Sequence, residues 1–428
     1  MRQRRISLKY VMFIMLVVFS IIPDVGIKFS TAGLTWTAYR IVIVLSLAFL
    51  VFGHGRISIS REEPMTRWIL FMTVWSLYGI ILLFVGSYTD YHNGFVEWFS
   101  IVCGLVVFCC MSRYLSSEQY VDALVTALYW LLNVLVLVGF IEIITGWHWT
   151  ASAFKDYQST INMYDNNHLA TGFMYNMNDF SALLTCLSPI LVTERLGKKR
   201  AVTLVGIVII NHINDATTCN IAILFFILYY FLILRGECNK NAIAFKALFW
   251  TAIVLIIVIA LCFNMDFSER NDLLGAIARQ ITNARHGNGS LYRRIVLYKD
   301  ALSAWFSTGM MGFGPAGFAT YFTTHPSLSK LVNPHSLVLE ILTQYGIVIC
   351  GWFLWLLLWM FRSAKKLYKT AIGADKQRVL MVVAFIIVYF FASFAPSSFI
   401  GYSYQWVLIA LMCSQLLILK KQEDCRHA

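Results

Sequence analysis

Residues able to do chemistry gather in one stretch of the sequence, Gly289–Gly351. Arg293 and Arg294 open it, a glycine-rich turn follows, and His335 comes just before a long apolar run. Arginine binds phosphate groups through two parallel N–H bonds, and a neutral histidine can take a proton from a hydroxyl group. This order of residues predicts a site where an anionic substrate meets a general base.

The cations around Arg294 admit two interpretations. Acidic residues are interspersed with them between positions 265 and 334, as they would be on a solvated charged face. The close placement of Arg293, Arg294 and Lys299 instead indicates an anion site, because a guanidinium group suits bidentate contacts to phosphate. We favour the anion site.

The segment before the apolar run is typical of a helix start. Asn333 is predicted to be the cap and Pro334 the first helical residue, which puts His335 in the first turn. The positive end of the helix dipole opposes protonation there and attracts phosphate, so we expect a neutral His335 that can accept a proton. The alternative is a histidine that is merely hydrogen-bonded at the membrane interface.

A second polar cluster, Asn176, Asn178 and Asp179, precedes an apolar segment. Asn and Asp commonly cap helices by accepting backbone N–H bonds, and capping alone would account for one of the three residues. Three polar side chains in four positions exceed what a cap requires. We expect this cluster to bind substrate or to shape the site.

The elements that carry these residues are apolar. Of the 428 residues, 59% are hydrophobic and 13% are charged, and the ten cysteines lie mostly in apolar runs without metal-like spacing. The composition predicts an all-α polytopic integral membrane protein, with residues 1–428 forming one domain. We place about 12 transmembrane helices by the length of the apolar runs. The first ends at Pro23, and the others lie near 36–53, 67–87, 97–112, 120–145, 178–194, 201–214, 220–234, 246–264, 335–361, 379–394 and 401–419.

The positive charges predict the orientation in the membrane. The net charge is +12, and most of the 34 lysines and arginines fall in segments that are cytoplasmic if the N-terminus is inside. Both termini are therefore expected in the cytoplasm, and the charge needs no nucleic acid to explain it. Most of the remaining cations fall in 265–334, the predicted large extracytoplasmic loop with short amphipathic helices.

The ordered motifs resemble those of the O-antigen ligase and polymerase superfamily. They are Arg294-x-x-x-Tyr298-x-x-Ala301-Leu302, Gly312-Phe313-Gly314-Pro315, Pro334-His335-Ser336, Glu340–Ile347, and upstream Thr37–Arg40 and Asn176–Ser181. One feature departs from the family, which usually carries an arginine between the seventh and eighth helices. Residues 214–220 contain none, so Arg40, Arg285 or Arg293 would have to replace it, or diphosphate binding is weaker.

The resemblance implies a multi-pass glycosyltransferase of the bacterial plasma (inner) membrane, working on its outer face without metal or cofactor. His335 would activate the acceptor hydroxyl. Arg294, with Arg293 and Arg40, would hold the diphosphate of an undecaprenyl-linked glycan donor, while Asn176, Asn178, Asp179 and Asn333 would shape the site. The implied partners are the lipid-linked donor, the glycan acceptor, the bilayer, and the chain-length regulator and flippase of the same pathway.

Three functions follow from these observations in decreasing order of fit. The first is polymerisation of lipid-linked repeat units into a capsule, exopolysaccharide, teichuronic-type polymer or O-antigen. The second is ligation of a finished glycan to a lipid core or another acceptor, which the motifs do not separate from the first. The third is a flippase or transporter of lipid-linked sugars, which fits least because the sequence shows no inverted repeat and few mid-membrane charges.

Overall fold

The computed structural model describes most of the chain. The described residues are 8–23, 25, 28–31, 34–52, 63–86, 88, 90–115, 117–149, 168–192, 197–234, 282, 286–287, 289–327 and 331–427. The predicted span 246–264, Arg285 and most of the first third of the predicted loop 265–334 lie outside them.

Helices make up most of the described chain, as the apolar composition predicts. They are α1 (Leu8–Ile21), α2 (Ala38–Phe52), α3 (Pro64–Val85), α4 (Tyr91–Tyr114), α5 (Glu118–Thr145), α6 (Met177–Leu187, continued by a 3₁₀ turn at Ser188–Leu191), α7 (Lys198–Ile213), α8 (Thr217–Leu234), α9 (Gly289–Ser307), α10 (Gly317–Thr324), α11 (Leu337–Tyr368), α12 (Ala374–Ala392) and α13 (Tyr404–His427).

Four of the described helices, α3, α4, α5 and α11, are long and apolar enough to cross a membrane. A spanning helix satisfies its backbone groups internally, which is why hydropathy locates such segments well. The protein is thus a mostly helical membrane protein. The count of twelve spans and the outer location of residues 265–334 stay predictions.

The expectation of an all-α chain is wrong at one place. Strands β1 (Lys28–Thr31) and β2 (Leu34–Thr37) pair as an antiparallel hairpin, with Phe29 opposite Trp36. Aromatic and β-branched residues favour a pleated strand over a helix. The hairpin leads directly into α2, so the predicted span at 36–53 begins two residues too early.

The ends of the described helices gather in two polar regions, one on each side of the protein. At the basic end, where α3, α5 and α12 begin and α11 and α13 finish, Arg378 bonds to Glu118 at 2.7 Å and to Asp122 at 3.0 Å. At the opposite end, Ser403 before α13 donates to the Ser20 carbonyl near the end of α1, at 2.7 Å. Helix α11 also begins at this second end, just after His335.

Long helix α11 is broken by Gly346, whose φ of 78° and ψ of 176° are not helical. The broken turn is completed by residues 310–314 of the glycine-rich segment. The Ile347 N–H donates to the Met310 carbonyl at 3.4 Å, and the Thr343 carbonyl accepts from the Phe313 N–H at 2.8 Å. Gln344 likewise accepts from Gly314 at 3.0 Å. The sequence predicts one unbroken helix here, whereas the structure joins α9 and α10 to α11 through this break.

Candidate functional site

The structure overturns the predicted helix start at Asn333. Helix α11 begins at Leu337, and Ser336 is its cap, with its hydroxyl oxygen accepting the Leu339 N–H at 3.4 Å. His335 has a φ of 48°, outside the helix. The backbone N–H of His335 donates to the Ser397 carbonyl at 3.0 Å, and the backbone N–H of Leu337 donates to the Ser393 carbonyl at 3.3 Å. These bonds to a distant loop explain why Asn333 and Pro334 do not begin the helix.

Burial controls the protonation of His335. Loss of solvent, together with the nearby positive charge of Arg294, lowers its pKa from 6.5 to about 4. A neutral imidazole follows at physiological pH, with burial rather than a helix dipole as the main cause. The imidazole Nδ1 is buried and has no hydrogen-bond partner among the described residues. That nitrogen is therefore an unpaired buried polar group within the described part of the chain.

Arg294 and Tyr298 lie one turn apart on α9, on the same face, as the sequence predicts. The Arg294 Nη1 donates to the Phe394 carbonyl at 3.1 Å, and burial lowers the pKa of its guanidinium without removing its charge. The Tyr298 hydroxyl donates to the His335 carbonyl at 2.9 Å. Helix α9 therefore places a partly buried cation beside His335.

One loop holds both groups. Residues 393–403 between α12 and α13, here called the α12–α13 loop, supply the Phe394 carbonyl to Arg294 and the Ser397 carbonyl to His335. Two backbone carbonyls three residues apart thus fix a guanidinium and the backbone of a histidine from different elements. The site is built on this loop.

Glu340, one turn into α11, fixes the α12–α13 loop in turn. Its buried carboxylate accepts the Ser398 hydroxyl, the Phe399 N–H at 2.8 Å and the Ile400 N–H at 3.3 Å. Glu340 is not among the site residues predicted from the sequence. The available signal was a carboxylate inside an apolar span, because a buried carboxylate needs hydrogen-bond donors.

The upstream polar cluster reaches the same loop. Asn176 caps α6, with its Oδ1 accepting the Asn178 N–H at 2.8 Å, so its capping role is met. Asp179 is buried and accepts the Tyr402 hydroxyl from the α12–α13 loop, while its Oδ1 has no partner among the described residues. Asn178 is half-buried beside them. Binding roles for these residues stay predictions.

The other predicted phosphate ligands lie in different surroundings. Arg293 is exposed on α9. The Arg40 Nη1 donates to the Thr35 carbonyl at 2.5 Å, and its guanidinium lies 5.9 Å from the centre of the Phe99 ring. These contacts join Arg40 to the β-hairpin and α4, not to His335. Asn333 is half-buried two residues before His335 and does not cap α11.

Residues 214–220, which contain no arginine, have a structural role. Asn214 is buried, accepts the Ala170 N–H at 2.8 Å and donates to the Ser181 hydroxyl at 3.0 Å. Cys219, in the first turn of α8, lies within range of the Arg294 charge.

Metal ligands were not predicted, and within the described ranges no group of three or more His, Cys, Asp or Glu could hold a metal ion. Independence from metal stays a prediction. The site's described polar groups are a cation, a neutral imidazole, hydroxyl groups and buried carboxylates.

Comparison with known proteins adds one finding. The chain is 21% identical over 413 residues to the teichuronic acid biosynthesis protein TuaE of Bacillus subtilis (strain 168). The similarity covers 90% of this chain and 80% of that protein, so it includes the stretch around Arg294 and His335. No family model matches the chain.

Proposed function

We propose that this protein is a glycosyltransferase of cell-surface polysaccharide biosynthesis that polymerises undecaprenyl-diphosphate-linked repeat units. The observation that carries the proposal is that Arg294 and His335 come together on the α12–α13 loop. The motif resemblance and the similarity to a protein named for teichuronic acid biosynthesis support it. The name of that relative favours a polymer as the product, whereas the motifs do not separate a polymerase from a ligase. The outer membrane face as its place of work, with cytoplasmic termini, is part of the proposal.

In this reaction Arg294 holds the leaving group. An arginine has five N–H donors, and the bond to the Phe394 carbonyl aims the guanidinium while leaving other donors for diphosphate oxygens. Because the side chain is partly buried, its charge is less screened than a surface charge would be. It stabilises the negative charge that develops as the sugar–diphosphate bond breaks.

His335 takes the proton of the acceptor. The acceptor hydroxyl oxygen bonds to the anomeric carbon, its proton passes to the imidazole, and the diphosphate leaves with the electron pair of the broken C–O bond. A single displacement of this kind inverts the anomeric carbon. The neutral state that burial imposes on His335 is the state that this step needs.

The two groups are electrostatically linked. In the free protein the positive charge of Arg294 opposes protonation of His335. A diphosphate bound beside Arg294 reverses the local field, which raises the basicity of His335 when the donor is present. Donor binding therefore prepares the base for the proton transfer.

The test uses purified protein in lipid nanodiscs with a lipid-linked oligosaccharide, and products are separated by chain length. We expect a ladder of polymer, which His335→Gln reduces by about 10²–10⁴-fold, the usual contribution of a positioned base. Arg294→Lys should fail nearly as badly as Arg294→Ala, because a point charge cannot reproduce the bidentate contact. Lys365→Gln, which changes an exposed cation at the basic end of α11, is the control and should be mild.

Two results would contradict the proposal. Turnover of His335→Gln at the wild-type rate would remove His335 as the base. Transfer of a single glycan to a non-saccharide acceptor, with no ladder, would identify a ligase instead.

A further inference from the structure

A groove at the basic end is lined by cations from three helices. Arg67 comes from α3, Lys366 from α11 and Lys420 from α13, and Trp359 and Glu423 complete its polar and aromatic lining. Three positive charges and one negative charge face the groove. Because these residues are far apart in sequence, only the packing of the helices brings them together.

The charges in the groove favour an anion. Glu423 accepts the Thr370 hydroxyl at 2.9 Å, which occupies one of its oxygens. The Arg67 guanidinium lies 4.6 Å from the centre of the Trp359 ring, and its Nε is buried without a hydrogen-bond partner among the described residues. An arginine laid on an aromatic ring keeps its N–H edge for an oxyanion. The groove thus presents the guanidinium of Arg67 and the exposed ammonium group of Lys366, with the charge of Lys420 beside them.

An apolar surface continues from the groove toward the middle of the bilayer. Leu70 lies one turn beyond Arg67 on α3 and is 56% exposed, and Trp355 lies one turn before Trp359 on α11 and is 46% exposed. Residues so spaced share a helix face. Both helices are long enough to span the membrane, so this face meets lipid chains.

We propose that this groove binds an anionic phospholipid. The headgroup phosphate lies among Arg67, Lys366 and Lys420, and an acyl chain lies along Leu70 and Trp355. A lipid fits better than a soluble phosphate because the cationic groove opens onto a lipid-facing surface. Basic pockets between membrane helices recognise lipid headgroups in this way. The site lies at the end opposite His335 and does not depend on the proposed function.

The test measures lipid binding to delipidated full-length protein by native mass spectrometry. The probes are dioleoyl phosphatidylglycerol, dioleoyl phosphatidylcholine and inorganic phosphate. Phosphatidylglycerol should bind more tightly than phosphatidylcholine, and salt should weaken it. The double variant Arg67→Gln, Lys366→Gln should weaken the binding of phosphatidylglycerol about 25-fold, at about fivefold for each cation removed. Lys421→Gln, an exposed neighbour outside the groove, should change nothing.

Lys366→Gln alone covers the case in which the double variant does not fold, because Lys366 is exposed. This variant should weaken the binding of phosphatidylglycerol about fivefold. Equal binding of the two lipids, or wild-type affinity in the folded variants, would overturn the proposal. Displacement of phosphatidylglycerol by inorganic phosphate at matching concentration would also overturn it, since the groove would then recognise a free anion.

Discussion

Replacing Gly346 by alanine tests whether the broken turn of α11 positions the site. The backbone at Gly346 has φ 78° and ψ 176°, a region that essentially only glycine occupies. A Cβ added there would lie 2.6 Å from the Met311 carbonyl oxygen and 2.7 Å from that of Met310. Both are backbone atoms of the segment that follows α9, so the clash cannot be relieved by a side-chain rotation.

The expected cost follows from these two effects. The unfavourable dihedral angles cost about 1–3 kcal/mol, and forcing an extra methyl group into a packed contact costs about 1–3 kcal/mol more. At roughly 2 °C per kcal/mol for a large chain, the thermal midpoint should fall by about 4–12 °C. Relief of the clash would separate residues 310–314 from α11 and displace α9 with Arg294. We therefore expect glycan transfer to fall even in the protein that remains folded.

Gly351→Ala is the matched control, because it lies five residues further along α11 and a Cβ there meets nothing within 4 Å. The assay compares the thermal midpoints and transfer rates of the two variants in the same nanodiscs. A Gly346→Ala protein as stable and active as Gly351→Ala would show that the break in α11 is not required. The account of how the glycine-rich segment positions α9 would then be wrong.

Three further predictions test the site and its placement. If His335 is the base, kcat/KM should be flat from pH 8 to about 5 and fall toward pH 4, because the imidazole must stay unprotonated. The acid limb of the kcat profile should lie at higher pH, because the donor is then bound. A midpoint near 6.5 in the kcat/KM profile would contradict the burial of His335. Glu340→Gln replaces a carboxylate that accepts three hydrogen bonds by an amide, so the free energy of unfolding should fall by about 1–3 kcal/mol and glycan transfer should fall with it. The thermal midpoint and the turnover rate measure these two effects. An unchanged midpoint and rate would show that Glu340 does not anchor the α12–α13 loop. In cells, single cysteines introduced at 365–376 should react with an impermeant thiol reagent only after permeabilisation, and those at 292–327 before it; the reverse pattern would invert the topology.

Local sequence determined where most of the helices lie. The predicted spans at 67–87, 97–112 and 120–145 coincide with α3, α4 and α5 to within a few residues at most ends. A membrane helix satisfies its own backbone hydrogen bonds, so a long apolar run specifies it without help from distant residues. The shared face of Arg294 and Tyr298 followed from helical spacing in the same way.

The start of α11 could not be determined locally. Asn333 and Pro334 form a good capping pattern, yet the N–H groups of His335 and Leu337 donate to carbonyls of Ser397 and Ser393. These acceptors lie about sixty residues further along the chain, and the sequence near His335 does not predict them. The tertiary contact therefore overrides the local signal.

The same reason applies to the site as a whole. The motif resemblance pointed to Arg294 and His335, but the α12–α13 loop that holds them has no predicted role and lies between the predicted spans 379–394 and 401–419. Glu340 was part of the motif, and its three donors come from that loop. Sequence determined the helices because their hydrogen bonds are local, whereas only tertiary structure decided the site, because its hydrogen bonds join segments that are far apart in the chain.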